Sequence, residues 1–166
     1  MGAMSNTIRA AVVTVSDRSA RGERADKSGA VLAELLSEAG ASVVAREIVS
    51  DEFGPLVEKL RELAERADVN LVLTTGGTGL SPRDNTPEAT RAVIEREAPG
   101  LAEAMRAESL RRTPTAMLSR GVCGVAAGAL VVNLPGSPKA VRECFAVISP
   151  ILAHAVSQLA GEDHGK

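Results

Sequence analysis

The chain has no tryptophan, no tyrosine and only two phenylalanines among its 166 residues. A core without aromatic bulk has to be filled by Val, Leu, Ile and Ala, the residues of buried parallel strands and their covering helices. Aromatic platforms for stacking bases are missing too, which excludes single-stranded nucleic-acid binding. The formal net charge of −2 supplies no basic footprint for a duplex. An anionic ligand must therefore be held by a local site. Cysteine is almost as scarce. Cys123 and Cys144 are too few for a disulfide framework and lack metal-ligand spacing, so both are expected to be small buried hydrophobes in a reducing compartment. No apolar run reaches the ~18 residues of a membrane span, and the start has no basic-then-apolar leader pattern. A cytoplasmic protein with neither membrane nor nucleic-acid partners is expected.

What is present is an ordinary globular mixture, 45% apolar and 24% charged, long enough to bury a core without disulfides or metals. Met1-Gly2-Ala3-Met4 offers two candidate start residues and reads as a cloning remnant, so residues 1–7 are expected to be disordered. Residues 8–160 are expected to form one domain and 161–166 a flexible tail.

Ile8 to Val15 is a continuous β-branched and Ala run, the mark of a central strand covered on both faces. Lys27 to Ala39 reads as a helix, with Val31, Leu32, Leu35 and Leu36 in one stripe, Asp26 as cap and Gly40 as stop. Between them lies a polar loop with Gly22 and three arginines. A strand over 42–49, a helix over 52–67 and a short apolar strand over 71–75 follow. Thr86 is expected to cap the next helix, with Pro87 in its first turn, running to about Glu97. Pro99-Gly100 then separates it from a helix over about 101–111. Two short strands over 122–125 and 129–133 precede a closing helix over about 139–159. This order describes a three-layer α/β fold, a mostly parallel open sheet with helices on both faces. Ligands of such sheets bind outside the carboxyl ends of the strands, where Ser16-Asp17, Ser50-Asp51, Gly76 to Asp84 and Leu134 to Pro138 fall.

Thr75-Gly76-Gly77-Thr78-Gly79 follows a buried strand directly. Its glycines let the backbone approach a ligand and turn N–H groups toward an anion, and Thr75 and Thr78 add hydroxyls. A plain tight turn would look the same, and neither the Walker pattern nor the dinucleotide fingerprint is matched. Pro82-Arg83-Asp84 then sets a cation beside a carboxylate in a stiffened loop. Arg83 can fork a phosphate and Asp84 can hold Mg²⁺, or Asp84 can simply assist a helix cap. Asp51 stands in a similar place, as a plain N-cap or as a second carboxylate facing Asp84. Two carboxylates beside a polyphosphate imply an intervening divalent cation. Gly136-Ser137-Pro138 opens the last helix with N–H and hydroxyl donors, and Ser119 sits beside Arg120. His154 and His164 have no Ser or Cys partner arrangement and no role is expected for them.

Gly76-Gly77-Thr78-Gly79, Pro82-Arg83-Asp84 with Thr86-Pro87-Glu88, and Asn133-Leu134-Pro135-Gly136-Ser137-Pro138 together resemble the molybdenum-cofactor biosynthesis family. That family includes bacterial Mog and MoaB and the G domains of gephyrin and of the plant two-domain enzyme. Thr14-Val15-Ser16-Asp17 resembles its first strand and loop, and the likeness runs from Ile8 to about Leu159. The Pro-Arg-Asp form, Glu95 to Gly100 and Met117-Leu118-Ser119-Arg120 are similar to its adenylyltransferase branch. The resemblance implies a molybdopterin-binding-like fold. It also implies transfer of AMP from ATP to the terminal phosphate of molybdopterin, with Mg²⁺ and release of pyrophosphate. It makes Asp51 and Asp84 the catalytic, metal-linked carboxylates and Ser119 a serine near the reacting phosphates. Ser16, Asp17, Thr75, Gly76 to Gly79, Pro82, Arg83 and Gly136 to Pro138 become substrate-binding candidates. A homotrimer and a transient contact with the molybdate-inserting enzyme are also implied. Two other readings stay open: a MoaB-like trimer that binds molybdopterin without turnover, and a generic sugar-phosphate or nucleotide-binding domain.

Overall fold

Why the first strand is apolar at every position is visible in how its residues divide. In the computed structural model, which describes residues 7–162, β1 (Arg9–Val15) is buried on both faces. Ala10 and Val12 enter one core with Leu32 and Leu36 of α2 (Lys27–Glu38) and Val141, Ile148 and Leu152 of α6 (Pro138–Leu159). Ala11, Val13 and Val15 enter a second core with Leu56, Leu60 and Leu63 of α3 (Phe53–Glu65). The two-residue period of the strand separates the layers. Each of those three fully buried leucines contributes about 1.5–3 kcal/mol.

The sheet has six strands in the order β2-β1-β3-β6-β5-β4. β2 (Ser42–Val49), β1, β3 (Leu71–Thr75) and β6 (Ala129–Leu134) are parallel. β5 (Cys123–Ala126) and β4 (Arg96–Glu97) extend it antiparallel. This is the expected mostly parallel α/β sheet. α2, α5 (Pro99–Leu110) and α6 cover one face, and α3 and α4 (Thr86–Val93) the other. The register pairs Val15 with Val49, Thr14 with Thr75, and Thr75 with Leu134. The carboxyl ends of four neighbouring strands therefore finish level, and their loops emerge on one edge.

Several local expectations change. Thr86 is not the cap of α4 but its first residue. Its hydroxyl donates to Gly76 O at 2.9 Å, while the capping position, Asn85, makes no side-chain cap bond. A long-range partner has taken the hydroxyl that a local cap would have used. α4 stops at Val93, because Glu95 N and Ala98 N donate to Val125 O and Cys123 O and draw the chain into β4. Pro99 starts α5 rather than separating two helices. Two short pieces join the expected set, α1 (Asp17–Ala20) and a 3₁₀ turn over Pro114–Leu118. α6 has 22 residues and, with mean hydropathy 1.3 over its best window, is long and apolar enough to cross a membrane. Val141, Cys144, Phe145, Ile148, Leu152 and Val156 instead form its core-facing stripe. Most of the 1–7 segment and residues 163–166 of the expected tail lie outside the described residues.

Asn133 ties the layers together inside the protein. It is 2% exposed, donates to Thr74 Oγ1 and Thr90 Oγ1, and accepts from Val122 N. A fully paired amide of this kind fixes the alignment of β3, β6 and α4. Both cysteines are buried and free. Burial pushes the Cys123 thiol up to about 12 and raises Cys144 as well. The thiolate is the reactive form, so neither thiol is expected to react with a disulfide reagent at pH 8 in the folded protein. Both should react in urea, and fast native labelling of Cys123 would contradict its place in the core.

Candidate functional site

The strand edge is shaped first by Gly76 and Gly77, whose φ values are 101° and 70°. A Cβ on Gly76 would lie 2.5 Å from Val15 O, and one on Gly77 would run into the Thr86 hydroxyl. No L side chain fits either position. The turn is then tied on every side. Gly76 N donates to Leu134 O at 3.2 Å, and Thr86 N to Gly77 O at 3.1 Å. The Thr75 hydroxyl donates to Pro135 O at 2.6 Å. Thr75, expected to offer its hydroxyl to a ligand, is fully buried and spends that donor on joining two loops.

Asp51 does not cap α3. The capping position is Glu52, without a side-chain bond. The Asp51 carboxylate instead accepts from Asp17 N at Oδ2 (2.9 Å), and Asp51 N donates to Asp17 Oδ1 at the same distance. Each residue thus holds the other by carboxylate and backbone. Arg83 closes the arrangement, with Nε and Nη2 at 3.0 and 2.7 Å from Asp17 Oδ2. The Asp51 N–H, and after it the Arg83 guanidinium, lower the Asp17 pKa below the usual carboxylate range. Burial raises that of Asp51, and repulsion from Asp17 and Asp84 adds to the rise against the hydrogen bond from Asp17 N. Asp84 accepts from Ser81 N at Oδ2 (3.0 Å). One oxygen of each carboxylate, Oδ1 in both Asp51 and Asp84, has no hydrogen-bond partner among the described residues.

Two cavities flank the glycine turn. One, of about 450 Å³, is lined by Asp51, Asp84, Gly76, Gly77, Gly136 and Ser137, among others, with Ser16, Thr75 and Pro138. The other, of about 270 Å³, is lined by Thr78, Gly79, Met105, Arg106, Ser119 and Cys144, among others. The turn and the Pro135–Gly136 peptide form a ridge between them. Ser119, which the resemblance made a serine near the reacting phosphates, lines the second cavity, across that ridge from the two aspartates. Asp17, Pro82 and Arg83 line neither cavity. The Arg83 fork expected to meet a phosphate is occupied by Asp17.

Sequence reasoning passed over Arg24 and Lys27, which line the larger cavity and have no side-chain ion pair or hydrogen bond among the described residues. Arg24 belongs to the loop of three arginines, and Lys27 opens α2, where backbone N–H groups add positive potential. Those were the available signals. Three carboxylates, Asp26, Asp51 and Asp84, line the cavity with these two cations. Asp26 is already bonded to Thr14, Gly29 N and Arg46. That leaves Asp51 and Asp84 with Arg24 and Lys27 as a set suited to a metal-bound phosphate.

Residues 11–154 match the family described as "Probable molybdopterin binding domain". The chain is 46% identical over 153 residues to the molybdenum cofactor synthesis protein cinnamon of Drosophila melanogaster, covering 92% of this chain but only 25% of that protein. It is 40% identical over 157 residues to a molybdopterin adenylyltransferase of Helicobacter pylori, covering 93% and 89% of the two chains. Among solved structures it resembles MoaB from Thermus thermophilus, with TM-score 0.88, 48% identity and coverage of 96% and 100%. It also resembles the Mog protein of Mycobacterium ulcerans, with TM-score 0.87, 44% identity and coverage of 95% and 100%.

The Asp17 lock has a pH signature. A carboxyl group whose folded pKa is depressed adds stability that is present above its unfolded value and lost as pH falls through the folded value. Asp17→Asn keeps one acceptor but loses the charge. It is expected to cost about 1 kcal/mol at pH 7, a difference that closes as pH falls below 3.8. Urea midpoints for both proteins across pH measure it, and a pH-independent gap would contradict the ionic origin.

Proposed function

The chain belongs to the molybdopterin-binding domain family, and on that premise we propose that it is a molybdopterin adenylyltransferase of molybdenum-cofactor biosynthesis. It transfers AMP from ATP to the terminal phosphate of molybdopterin. A phosphate oxygen attacks the α-phosphorus, the bond to the bridging oxygen of the β-phosphate breaks, and pyrophosphate leaves. The observation that carries this reading is the pairing of Asp51 and Asp84 in one cavity with the Gly76-Gly77 and Gly136-Ser137 backbone.

The donor set suits Mg²⁺. Each aspartate keeps one carboxylate oxygen free of protein partners, and no cluster of three metal-ligating side chains occurs among the described residues. Mg²⁺ is commonly held by one or two carboxylates plus substrate phosphates. Asp51 and Asp84 would hold it. When bound, the ion neutralises phosphate charge that would otherwise keep two polyanions apart. The chain's own contribution is positioning and local charge. Arg24 and Lys27 supply positive charge along the cavity wall. Backbone N–H groups of the glycine turn and the start of α6 offer donors to phosphate oxygens. Ser119 reaches the reacting groups from the second cavity, so the substrates bridge the ridge. Asp17 and Arg83 act on Asp51, by holding the backbone that carries it.

The alternative is a protein that binds molybdopterin without transferring AMP. Incubation of the protein with molybdopterin, ATP and Mg²⁺ separates the two, since only the enzyme yields adenylylated molybdopterin and pyrophosphate. We place the reaction in the cytoplasm, with a transient handover of product to the molybdate-inserting enzyme.

Asp84→Asn is expected to slow single-turnover adenylyl transfer about 100-fold or more while molybdopterin still binds. Asp51→Ser keeps an acceptor near Asp17 N but makes a poor Mg²⁺ ligand. It should stay folded, lose activity and shift the Mg²⁺ dependence to higher concentration. Near-normal turnover in either variant would remove that residue from the catalytic set. The active form is a homotrimer in this reading. Sedimentation equilibrium should return about three times the 17.1 kDa chain mass, and a persistent monomer would contradict it.

A further inference from the structure

Arg120 lines neither of the two cavities, yet its bonds run to both sides of the ridge between them. Its Nε donates to Gly79 O at 2.8 Å, Nη2 to Asp84 O at 2.9 Å, and Nη1 to Glu88 Oε2 at 2.6 Å. Its backbone N–H donates to Thr78 O at 2.8 Å. All four acceptors belong to the segment that runs from the glycine turn into α4. The residue before it is Ser119. We propose that Arg120 is a positioning residue for adenylyl transfer, which holds Asp84 and Ser119 in one frame across the ridge. The proposal rests on the function assigned above.

The dependence of Asp84 on this clamp follows from its surroundings. Leu80 to Arg83 are exposed, and among the described residues the only side-chain tie from that stretch to another part of the protein is Arg83 to Asp17. The Asp84 carboxylate is fixed locally by Ser81 N, which belongs to the same exposed loop. It also rests against Gly79, where an added Cβ would lie 2.9 Å from Asp84 Oδ2. Arg120 holds the carbonyls of both Gly79 and Asp84, so it sets the two surfaces between which that carboxylate is placed. Asn85 Nδ2, donating to Asp51 O at 3.0 Å, fixes the far side of the same segment. A planar guanidinium can reach two carbonyls and a carboxylate at once. A lysine ammonium, a point charge on a flexible stem, cannot reproduce that fork.

The clamp explains how two cavities can serve one reaction. Ser119 and Asp84 lie 35 positions apart and on different walls, and neither side chain bonds to the other among the described residues. Displacement of one reacting group by about 1 Å can cost about 100-fold in rate, so a rigid link between them bears on turnover and little on binding.

The test compares wild type, Arg120→Lys, Glu88→Gln, Ser119→Ala and the Ser119→Ala/Arg120→Lys double variant. Single-turnover rates, KM for ATP and molybdopterin, and thermal melts are measured for each. Arg120→Lys is expected to lose about 10- to 100-fold in kcat, with both KM values within about threefold. Its rate loss should be non-additive with that of Ser119→Ala, because the two residues act through one frame. Wild-type kcat in a folded Arg120→Lys protein overturns the proposal, as does a lower melting temperature alone or strict additivity. Should Arg120→Lys fail to fold, Glu88→Gln keeps an acceptor for one arm of the guanidinium but removes the charge that strengthens that bond. It is expected to lower kcat by about 3- to 10-fold, and a wild-type kcat there overturns the proposal instead. Absence of adenylylated product from wild type overturns the functional reading itself, and the positioning role with it.

Discussion

The close approach of three backbone segments at Gly76 and Gly77 is the constraint on which the site depends. Val15 at the end of β1, Thr86 at the start of α4 and the peptide before Gly136 all press on this turn, and a Cβ on Gly136 would lie 3.3 Å from Gly76 Cα. The parallel register brings these segments level, and the missing side chains let them meet. Without that contact, Thr86 would have no carbonyl to bond and the ridge would have no crest. The aspartates would then lose the floor between them and Ser119. Strand alignment, which is a matter of hydrophobic packing far below, is thereby converted into the spacing of groups at the surface.

Charge is organised around the same turn by backbone groups as much as by side chains. Asp17 and Asp51 exchange N–H donors, Asp84 receives one from Ser81, and Arg120 bonds to carbonyls. Asp51 and Asp84 are each steadied by one neutral donor and keep one carboxylate oxygen without a partner among the described residues. This differs from neutralising a carboxylate with an arginine, which would remove its affinity for a metal. Arg83 is paired with Asp17, the carboxylate outside the cavity, and Arg24 and Lys27 line the cavity without a side-chain partner among the described residues.

Much of the fold could be read from sequence because burial leaves a pattern. Continuous apolar runs marked β1 and β3, and stripes of leucine marked α2 and α3. Asp26 and Gly40 bound α2 as local chemistry requires, Asp26 accepting from Gly29 N and Gly40 taking φ +87°. What escaped were elements made by distant partners. β4 has two residues and exists only because β5 accepts it. Thr86 looks like a cap by its neighbours and is recruited by Gly76 ten residues away. At the site, the strand-end loops could be read from sequence, but the division of their residues between two cavities, with Ser119 in one and the aspartates in the other, could not. The Asp17–Asp51 lock and the Arg120 clamp span 34 and more than 30 positions, and no spacing rule anticipates either.

The aliphatic make-up of the walls carries an optical consequence. Phe145 is sealed in the core, Phe53 lies on the surface of α3, and neither cavity has an aromatic ring among its lining residues. A bound heterocycle meets peptide groups, methyls and polar tips, with no indole or phenol to stack on it or quench its emission. The polypeptide itself is nearly transparent in the near ultraviolet. Absorption and fluorescence there would belong to the ligand alone, so a bound pterin or adenine serves as its own reporter of occupancy.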